Sequence, residues 1–346
     1  MRHYPNRALG VVAIFACLVT TVVRADVFNM PGGQTSVSMV TVGNPGNAPD
    51  PATGSLYGAV NYVYKIDKYD VTTAQYTQFL NAVAATDTYG LYATSDANGA
   101  SMATAYPTVG ITQSGSSGSY TYSVIGNGNV PVFDVSWGDA ARFSNWLQNG
   151  QPTGAEGNGT TETGAYTLGG AVSNSALGAI TRNANATYFI PSENEWYKAA
   201  YYDPTPATYW VYATQSNTQP SNVLSALGTN NANYYNGGYT DRVNYLTSVG
   251  AFASSPSAYG TYDQTGDILQ WNEADIGGTT RGARGGAWES GSLTSSSGVR
   301  GFPYASYEDD VIGFRVASVP EPSSLVLLAV GALGLLLWAR RRRASL

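Results

Sequence analysis

PVFDVSWGDAARFSNWL, residues 131–147, is the stretch that decides the fold, because it contains a helix start that can be identified from its residues. Ser136 stands in the N-cap position, and Asp139 is placed near the positive end of the helix dipole. An apolar stripe follows at helical spacing: Ala140, Phe143 and Leu147. The sequence therefore predicts a helix over residues 136–147 with one buried face.

Two other segments combine a cap with an apolar stripe. KYDVTTAQYTQFLNAV predicts a helix over residues 72–84, with Thr72 and Gln75 at capping-box spacing. YFIPSENEWYKAAYY predicts a helix that begins after Pro191, with Ser192 and Glu195 at the same spacing.

Little else in the chain indicates regular structure. Short strands are predicted at residues 130–135 and 188–190, where apolar residues precede a helix. Long polar, glycine-rich stretches fill residues 148–187 and 214–250. The predicted class is therefore α+β, loop-rich and irregular.

The first residues are typical of a secretory signal. Two arginines precede an apolar run over residues 8–23, and Val23-Arg24-Ala25 suits signal peptidase. Residues 1–25 are therefore predicted to be a signal peptide, with an uncleaved anchor helix as the alternative.

The other end, residues 319–346, has three parts in a fixed order. Pro320, Glu321 and Pro322 precede an apolar stretch, residues 325–339, and a basic cluster follows: Arg340, Arg341, Arg342 and Arg343. As a helix the stretch would be about 22 Å long, against a bilayer core of about 30 Å.

The order of these parts resembles the PEP-CTERM sorting signal of Gram-negative bacteria, whose helix is removed by an exosortase. The resemblance implies a protein that is exported to the cell envelope or extracellular matrix and is held in the membrane only until processing. The arginines would remain on the cytoplasmic side. An ordinary transmembrane anchor is the alternative.

Composition excludes several kinds of chemistry. The only cysteine is Cys17 and the only histidine is His3, both in the predicted signal peptide. A Ser-His-Asp triad, a thiol nucleophile, a disulfide framework and an imidazole or thiolate metal site are therefore excluded. Without the two end segments, 10 basic and 22 acidic residues remain, a net charge of about −12. This charge argues against nucleic acid as a partner.

Six segments, taken in order, resemble the conserved blocks of the formylglycine-generating enzyme family, also called sulfatase-modifying factor. They are KYDVTTAQYTQFLNAV, PVFDVSWGDAARFSNWL, YFIPSENEWYKAAYY, YGTYDQTGDILQW, RGARGGAW and IGFRVAS. The resemblance implies one domain over residues 26–318, with an irregular fold similar to C-type lectin domains.

The resemblance also implies a reaction, the oxidation of a sulfatase cysteine to formylglycine by two active-site cysteines, with copper in the aerobic enzymes. Counted from the Gly285-Gly286-Ala287-Trp288 turn, the two thiol positions fall near Ser290 and Ser295. A hydroxyl cannot bind Cu(I) or carry thiol redox chemistry. The family reaction is therefore predicted to be absent, and neither copper nor zinc is expected.

Some members of the family bind two calcium ions, and the resemblance implies which residues would correspond. One set is Asp263, Gly266, Ile268 and Gln270; the other is Asn233, Tyr234, Gly250 and Phe252. Gln270 stands where a glutamate is usual, and Gly250 where an aspartate is usual. Each change removes an anionic ligand, so a metal-free turn is favoured over an occupied calcium site.

Other charged and aromatic groups have a structural and a functional interpretation. Glu193 and Glu195 are predicted to be first-turn helix residues rather than a catalytic pair. A solvated loop is predicted for Glu308-Asp309-Asp310, with cation binding as the alternative.

Four arginines are predicted to be internal counterions: Arg281, Arg284, Arg300 and Arg315. The alternative is that Arg300 lines the substrate cleft beside Trp288. The tyrosines of residues 234–239 either pack or stack on sugar rings.

The leading hypothesis is an exported, non-catalytic protein whose cleft binds a peptide or a glycan. One alternative is a divergent enzyme of the family with another activity. The other is an architectural component of an exopolysaccharide matrix.

Overall fold

The computed structural model describes residues 36–319, in which short elements are joined by long loops. The α-helices of this part of the chain are α1 (Thr73–Val83), α2 (Trp137–Gln148), α3 (Asn174–Gly178) and α4 (Glu193–Tyr201). The strands are β1 (Met39–Val42), β2 (Tyr64–Asp67), β3 (Val109–Ser114), β4 (Thr121–Gly126), β5 (Tyr188–Phe189), β6 (Tyr202–Asp203), β7 (Thr208–Tyr209), β8 (Leu269–Asp275), β9 (Arg281–Arg284), β10 (Ile312–Gly313) and β11 (Ala317–Ser318). The predicted α+β, loop-rich class is confirmed.

The last described strand closes the largest sheet. The strand order of this sheet is β1-β2-β11-β5, and every neighbouring pair is antiparallel. Ala317 of β11 is opposite Ile66 of β2 on one side and Phe189 of β5 on the other. The two ends of the described chain are therefore held in one sheet.

A second sheet leads into the Gly285-Gly286 turn. Its order is β10-β8-β9, with β10 parallel and β9 antiparallel to β8. The chain leaves β9 at Arg284 and enters the Gly285-Gly286 turn. Two hairpins, β3–β4 and β6–β7, stand apart from both sheets.

The three predicted helices are confirmed, and each begins at the predicted cap. Thr72, Ser136 and Ser192 each accept a hydrogen bond from the third residue of the helix, and each forms a reciprocal capping box. Helices α1 and α2 pack through aromatic rings, with the centroids of Phe79 and Phe143 5.4 Å apart. Both rings are fully buried.

The predicted strand at residues 130–135 is wrong. Only an isolated bridge joins Pro131 to Thr72, and Asp134 has a left-handed backbone with φ 55°. Proline cannot donate to a ladder, and a left-handed residue ends an extended run. The prediction of strand at residues 188–190 is confirmed for the two residues of β5.

No helix within residues 36–319 combines the length and the apolar character that crossing a bilayer requires. The predicted signal peptide, residues 1–25, lies outside the described residues. So do the residues of the predicted sorting signal that carry its motif: Pro320, Glu321, Pro322, Arg340, Arg341, Arg342 and Arg343.

Candidate functional site

The double-glycine turn after β9 lies against Ser295, one of the two positions that the resemblance implies for the family's thiols. Gly286 has φ 70°, and a Cβ added there would lie 2.4 Å from Oγ of Ser295. Only glycine fits such a backbone against such a neighbour. Ser295 is fully buried, and its hydroxyl has no hydrogen-bond partner among the described residues.

Ser290 follows the same turn along the chain and is half-buried. The Ala287 amide donates to its Oγ over 3.2 Å, and the Tyr235 amide donates to its carbonyl oxygen over 2.9 Å. The position implied for the first thiol is therefore occupied by a serine whose hydroxyl helps to close the turn.

An aromatic cluster borders Ser290; we call Tyr235, Tyr239, Tyr245 and Trp288 the aromatic surface. The rings of Tyr245 and Trp288 are stacked with centroids 4.5 Å apart, and Tyr239 lies 5.5 Å from Trp288. Tyr235 lies 5.1 Å from Tyr239. Trp288 is 8% exposed, whereas Tyr235 and Tyr239 are 42% and 38% exposed. A ligand would therefore meet the tyrosines, and Trp288 supports them from below.

Tyr106 connects the aromatic surface to the acidic loop before β10. The indole Nε1 of Trp288 donates to the Tyr106 hydroxyl over 2.9 Å, and this hydroxyl donates to the Asp310 carbonyl over 2.5 Å. Phe133 packs edge-on against the Tyr106 ring at 4.7 Å. Burial raises the pKa of Tyr106 well above its usual value, so the hydroxyl remains a donor.

Arg300, the second cleft candidate, is engaged elsewhere. Its Nη1 donates to Oε2 of Glu193 over 2.9 Å, and its side chain is 30% exposed. Arg284 binds the other oxygen of Glu193 and donates to the carbonyls of Ser297 and Val299. Glu193 is therefore the structural first-turn residue that the sequence predicted, and its two arginines hold the loop that follows Ser295.

The remaining arginines differ in their partners. Arg315 is fully buried and pairs with Asp70 at 3.1 Å, as predicted for an internal counterion. Arg281 instead donates to the carbonyls of Leu177 and Ile180 and lies 4.0 Å above the Trp137 ring. Burial lowers the pKa of Arg281 from its usual value.

The first set of residues implied for calcium does not fit a cation. Nε2 of Gln270 donates to the Asp263 carbonyl over 2.8 Å. The orientation of this amide is fixed because Trp196 and Arg315 both donate to its Oε1. The position that needs an oxygen ligand therefore presents an N–H group. The Gly266 amide is bound to the Gly285 carbonyl, and Ile268 is fully buried.

The second set offers a single side-chain oxygen to a cation. Oδ1 of Asn233 is buried and has no partner in the described part of the chain, while its Nδ2 donates to the Tyr245 carbonyl and to Asp267. Gly250 has no side chain, and its amide donates to Asp263. Tyr234 and Phe252 are buried. One amide oxygen is a weak basis for calcium, which prefers six to eight oxygens. Within residues 36–319, no three acidic, histidine or cysteine side chains form a metal-binding group.

The prediction of a solvated loop for residues 308–310 is wrong. Asp309 is only 7% exposed, and its carbonyl accepts from the Asp134 amide over 3.0 Å. Burial and the nearby Asp96 raise the pKa of Asp134 to about 8. Burial and Asp139 raise the pKa of Glu308 to about 9.

Sequence reasoning missed Tyr106, Asp134 and the Arg182 network. Arg182 binds Glu195 and Glu273 together, and its guanidinium stacks 3.5 Å from the Phe189 ring centroid. A buried Asp two residues before a helix cap is visible in the sequence, but its neighbours come from remote loops. Tyr106 lies in a polar stretch with no periodic pattern to indicate burial.

Two known family models match the chain, one over the folded domain and one over the C-terminal segment. The Sulfatase-modifying factor enzyme 1-like domain matches residues 27–319, and the PEP-CTERM protein-sorting motif matches residues 318–343. The sorting motif indicates export and sorting to the envelope and implies processing by an exosortase. No curated protein sequence matches the chain.

Several solved structures are similar in fold. CarF is 19% identical, with a TM-score of 0.47 over 82% of this chain and 99% of that one. Treponema denticola variable protein 1 is 18% identical, with a TM-score of 0.48 over 83% and 97%. PvdO from Pseudomonas aeruginosa is 18% identical, with a TM-score of 0.39 over 82% and 94%.

The family model covers most of the chain, including all six blocks on which the resemblance was drawn, and this resemblance is confirmed. The chain belongs to the sulfatase-modifying factor enzyme 1-like family, that of the formylglycine-generating enzyme, and carries a PEP-CTERM sorting motif at its C-terminal end.

Proposed function

We propose that this protein is an exported, envelope-sorted binding protein that recognises a peptide or a glycan and does not make formylglycine. One observation carries the proposal: the only cysteine of the sequence is Cys17, and the positions that the resemblance implies for the two thiols are Ser290, beside an exposed aromatic surface, and Ser295. The turn of the family is retained while its sulfur chemistry is missing.

The chemistry of the site favours recognition. Tyrosine rings offer apolar faces and a hydroxyl at low conformational cost, which suits both sugar rings and extended peptides. The Tyr235 amide is bound to the Ser290 carbonyl, so the exposed rings lie beside the position implied for the first thiol. The half-buried Ser290 offers a hydroxyl group there, which cannot replace a copper-bound thiolate.

A binding experiment with matched variants tests the proposal. Purified full-length protein would be offered to an array of bacterial exopolysaccharide fragments and to a panel of extended peptides. Tyr239→Ser should reduce binding at least tenfold. Tyr304→Ser, which removes another exposed tyrosine whose backbone is paired with Thr280, should leave it unchanged.

The alternatives predict other outcomes. Stoichiometric iron or copper in the purified protein would favour a divergent enzyme and contradict the proposal. Unchanged binding by Tyr239→Ser would show that the aromatic surface is not the binding site. Retention in an exopolysaccharide matrix without measurable affinity for any fragment or peptide would favour an architectural role.

A further inference from the structure

Three loops from distant parts of the chain bring five acidic residues together; we call Asp96, Asp134, Glu308, Asp309 and Asp310 the acidic junction. The loops are linked through their backbones. The Asp134 amide donates to the Asp309 carbonyl over 3.0 Å, and the Ala97 amide donates to the Glu308 carbonyl over 3.1 Å. The junction is therefore a fixed feature of the fold.

Asp134 is buried without a donor group. It is 0% exposed, and within residues 36–319 no N–H or hydroxyl group donates to either of its carboxylate oxygens. Burying a carboxylate without donors is unfavourable, so such groups normally bind a cation or a donor.

Asp96 faces Asp134 with a second carboxylate of the same kind. Its Oδ1 accepts from the amides of Asn98 and Ala100, each over 2.8 Å, which fixes the side chain. Its Oδ2 accepts from no donor within the described residues, and its carboxyl group is within hydrogen-bonding reach of Asp134. The two carboxyl groups therefore adjoin one another, and three of their four oxygens lack a donor among the described residues.

The charges around this pair are of one sign. The groups that act most strongly on Asp134 are Asp96, Asp310 and Asp309, and those on Glu308 are other carboxylates. A cavity of about 280 Å³ reaches Glu308 of the junction and is also lined by Asp139 and by Arg142, whose charge is paired with Glu162. A cation could therefore approach the junction from the side of Glu308.

We propose that the acidic junction binds a calcium ion through the carboxylates of Asp96 and Asp134, with loop carbonyls and water completing its oxygen shell. Calcium is favoured over transition metals because every ligand is an oxygen, and over magnesium because the ligands come from loops of irregular geometry. The site shares no residue with the two calcium sites that the family resemblance implies. It rests on two converging carboxylates, so it agrees with the absence of a three-residue metal group within residues 36–319.

The junction is also next to the aromatic surface. Asp134 follows Phe133, which packs on Tyr106, and the Asp310 carbonyl accepts from the Tyr106 hydroxyl. An ion that holds these loops would stabilise the support beneath Trp288. This consequence is independent of which ligand the aromatic surface binds.

Calcium binding to the full-length protein tests the proposal. Isothermal titration with calcium chloride in chelator-treated buffer should give one site with a dissociation constant of roughly 0.1 to 1 mM, the range that extracellular modules show. At about 100 times the dissociation constant, the Tm should rise by roughly 5 °C over that in EGTA.

Three kinds of variant locate the ion. Asp134→Asn and Asp96→Asn each remove a charge with little change in shape, and the amide oxygen introduced by Asp96→Asn can still accept from the two loop amides. Each should weaken calcium binding at least tenfold and abolish most of the Tm rise. Two control variants should retain the calcium affinity and the rise in Tm. They are Asp263→Asn, in the set implied by the family, and Asp275→Asn, at an exposed position.

Terbium luminescence gives a readout that does not depend on unfolding. Terbium bound at the junction would be sensitised by Tyr307, whose hydroxyl donates to Asp309, and calcium should displace it. Loss of the calcium effect in Asp263→Asn but not in Asp134→Asn or Asp96→Asn would overturn the proposal. The proposal would also be overturned if the unaltered protein bound no calcium at roughly 10 mM, which is 10 times the weakest dissociation constant expected of extracellular modules.

Discussion

Arg182→Met should destabilise the protein strongly at neutral pH. The Arg182 guanidinium binds Oε2 of Glu195 at 2.7 Å and Oε2 of Glu273 at 2.5 Å. The side chain of Glu195 is fully buried, and that of Glu273 is 15% exposed. Methionine would keep much of the packing over Phe189 but leave two carboxylates without a cation. Breaking a buried pair in this way costs about 3–5 kcal/mol.

The pH dependence of the loss has a defined sign. Burial alone would raise the pKa of Glu195, but the charge and hydrogen bonds of Arg182 lower it below its usual value. In the unaltered protein, Glu195 therefore adds stability above its unfolded pKa, and this is lost as the pH falls. Without Arg182, burial raises the pKa, so Glu195 costs stability as the pH rises above about 4.3. The difference between the two proteins should shrink from pH 7 toward pH 4.5.

Urea unfolding followed by tryptophan fluorescence measures both effects. Arg182→Met/Glu195→Gln/Glu273→Gln should recover most of the stability, because the glutamine oxygens still accept from Tyr62 and Tyr166. Arg242→Met, at an exposed arginine, should change the free energy of unfolding by less than about 0.5 kcal/mol. A loss below about 1 kcal/mol for Arg182→Met at pH 7 would refute the reasoning, as would a larger loss that the glutamines do not restore.

Three further changes test the Gly286 turn, the hydrogen bond that supports Trp288 and the N-terminal cap of α2. Gly286→Ala should cost about 3 kcal/mol in urea unfolding, because it combines a left-handed backbone with a clash against Ser295; Gly291→Ala, with φ −70° and open space, should cost almost nothing, and equal losses would contradict this. Tyr106→Phe should cost about 2–3 kcal/mol and alter the near-UV circular dichroism of Trp288, because it leaves Nε1 of Trp288 and the Asp310 carbonyl unpaired; an unchanged spectrum would argue against the contact. Ser136→Ala should cost about 1–2 kcal/mol through loss of the α2 cap, whereas a loss under about 0.3 kcal/mol would mean that the capping box contributes little.

The sequence predicted those parts of the fold that depend on neighbouring residues. The caps at Thr72, Ser136 and Ser192 depend on residues three positions apart, so their spacing is visible in the chain. The hairpin of β3 and β4 was missed because serine, threonine and glycine interrupt its apolar alternation. Helix α3 was missed because it has only five residues.

Predictions about the candidate site also succeeded where they depended on neighbouring residues and failed where they depended on residues far apart in the chain. The Gly285-Gly286-Ala287-Trp288 turn and the missing thiols were visible as local sequence. The pairing of Arg182 with Glu273 joins residues 91 positions apart, and that of Asp134 with Asp96 depends on loop paths that no periodicity specifies. Burial of charges is set by tertiary packing, so a run such as Glu308-Asp309-Asp310 looks solvated in sequence.

The central claim is that a cleft of the formylglycine-generating type can recognise a ligand here but cannot oxidise a thiol. Purified full-length protein, supplied with copper, oxygen, a reductant and a sulfatase-derived cysteine peptide, would be assayed for aldehyde by mass spectrometry. The account predicts no aldehyde above the protein-free reaction, and the same result for Ser290→Ala and Ser295→Ala. Aldehyde formed in proportion to the protein, and lost in either serine variant, would contradict it.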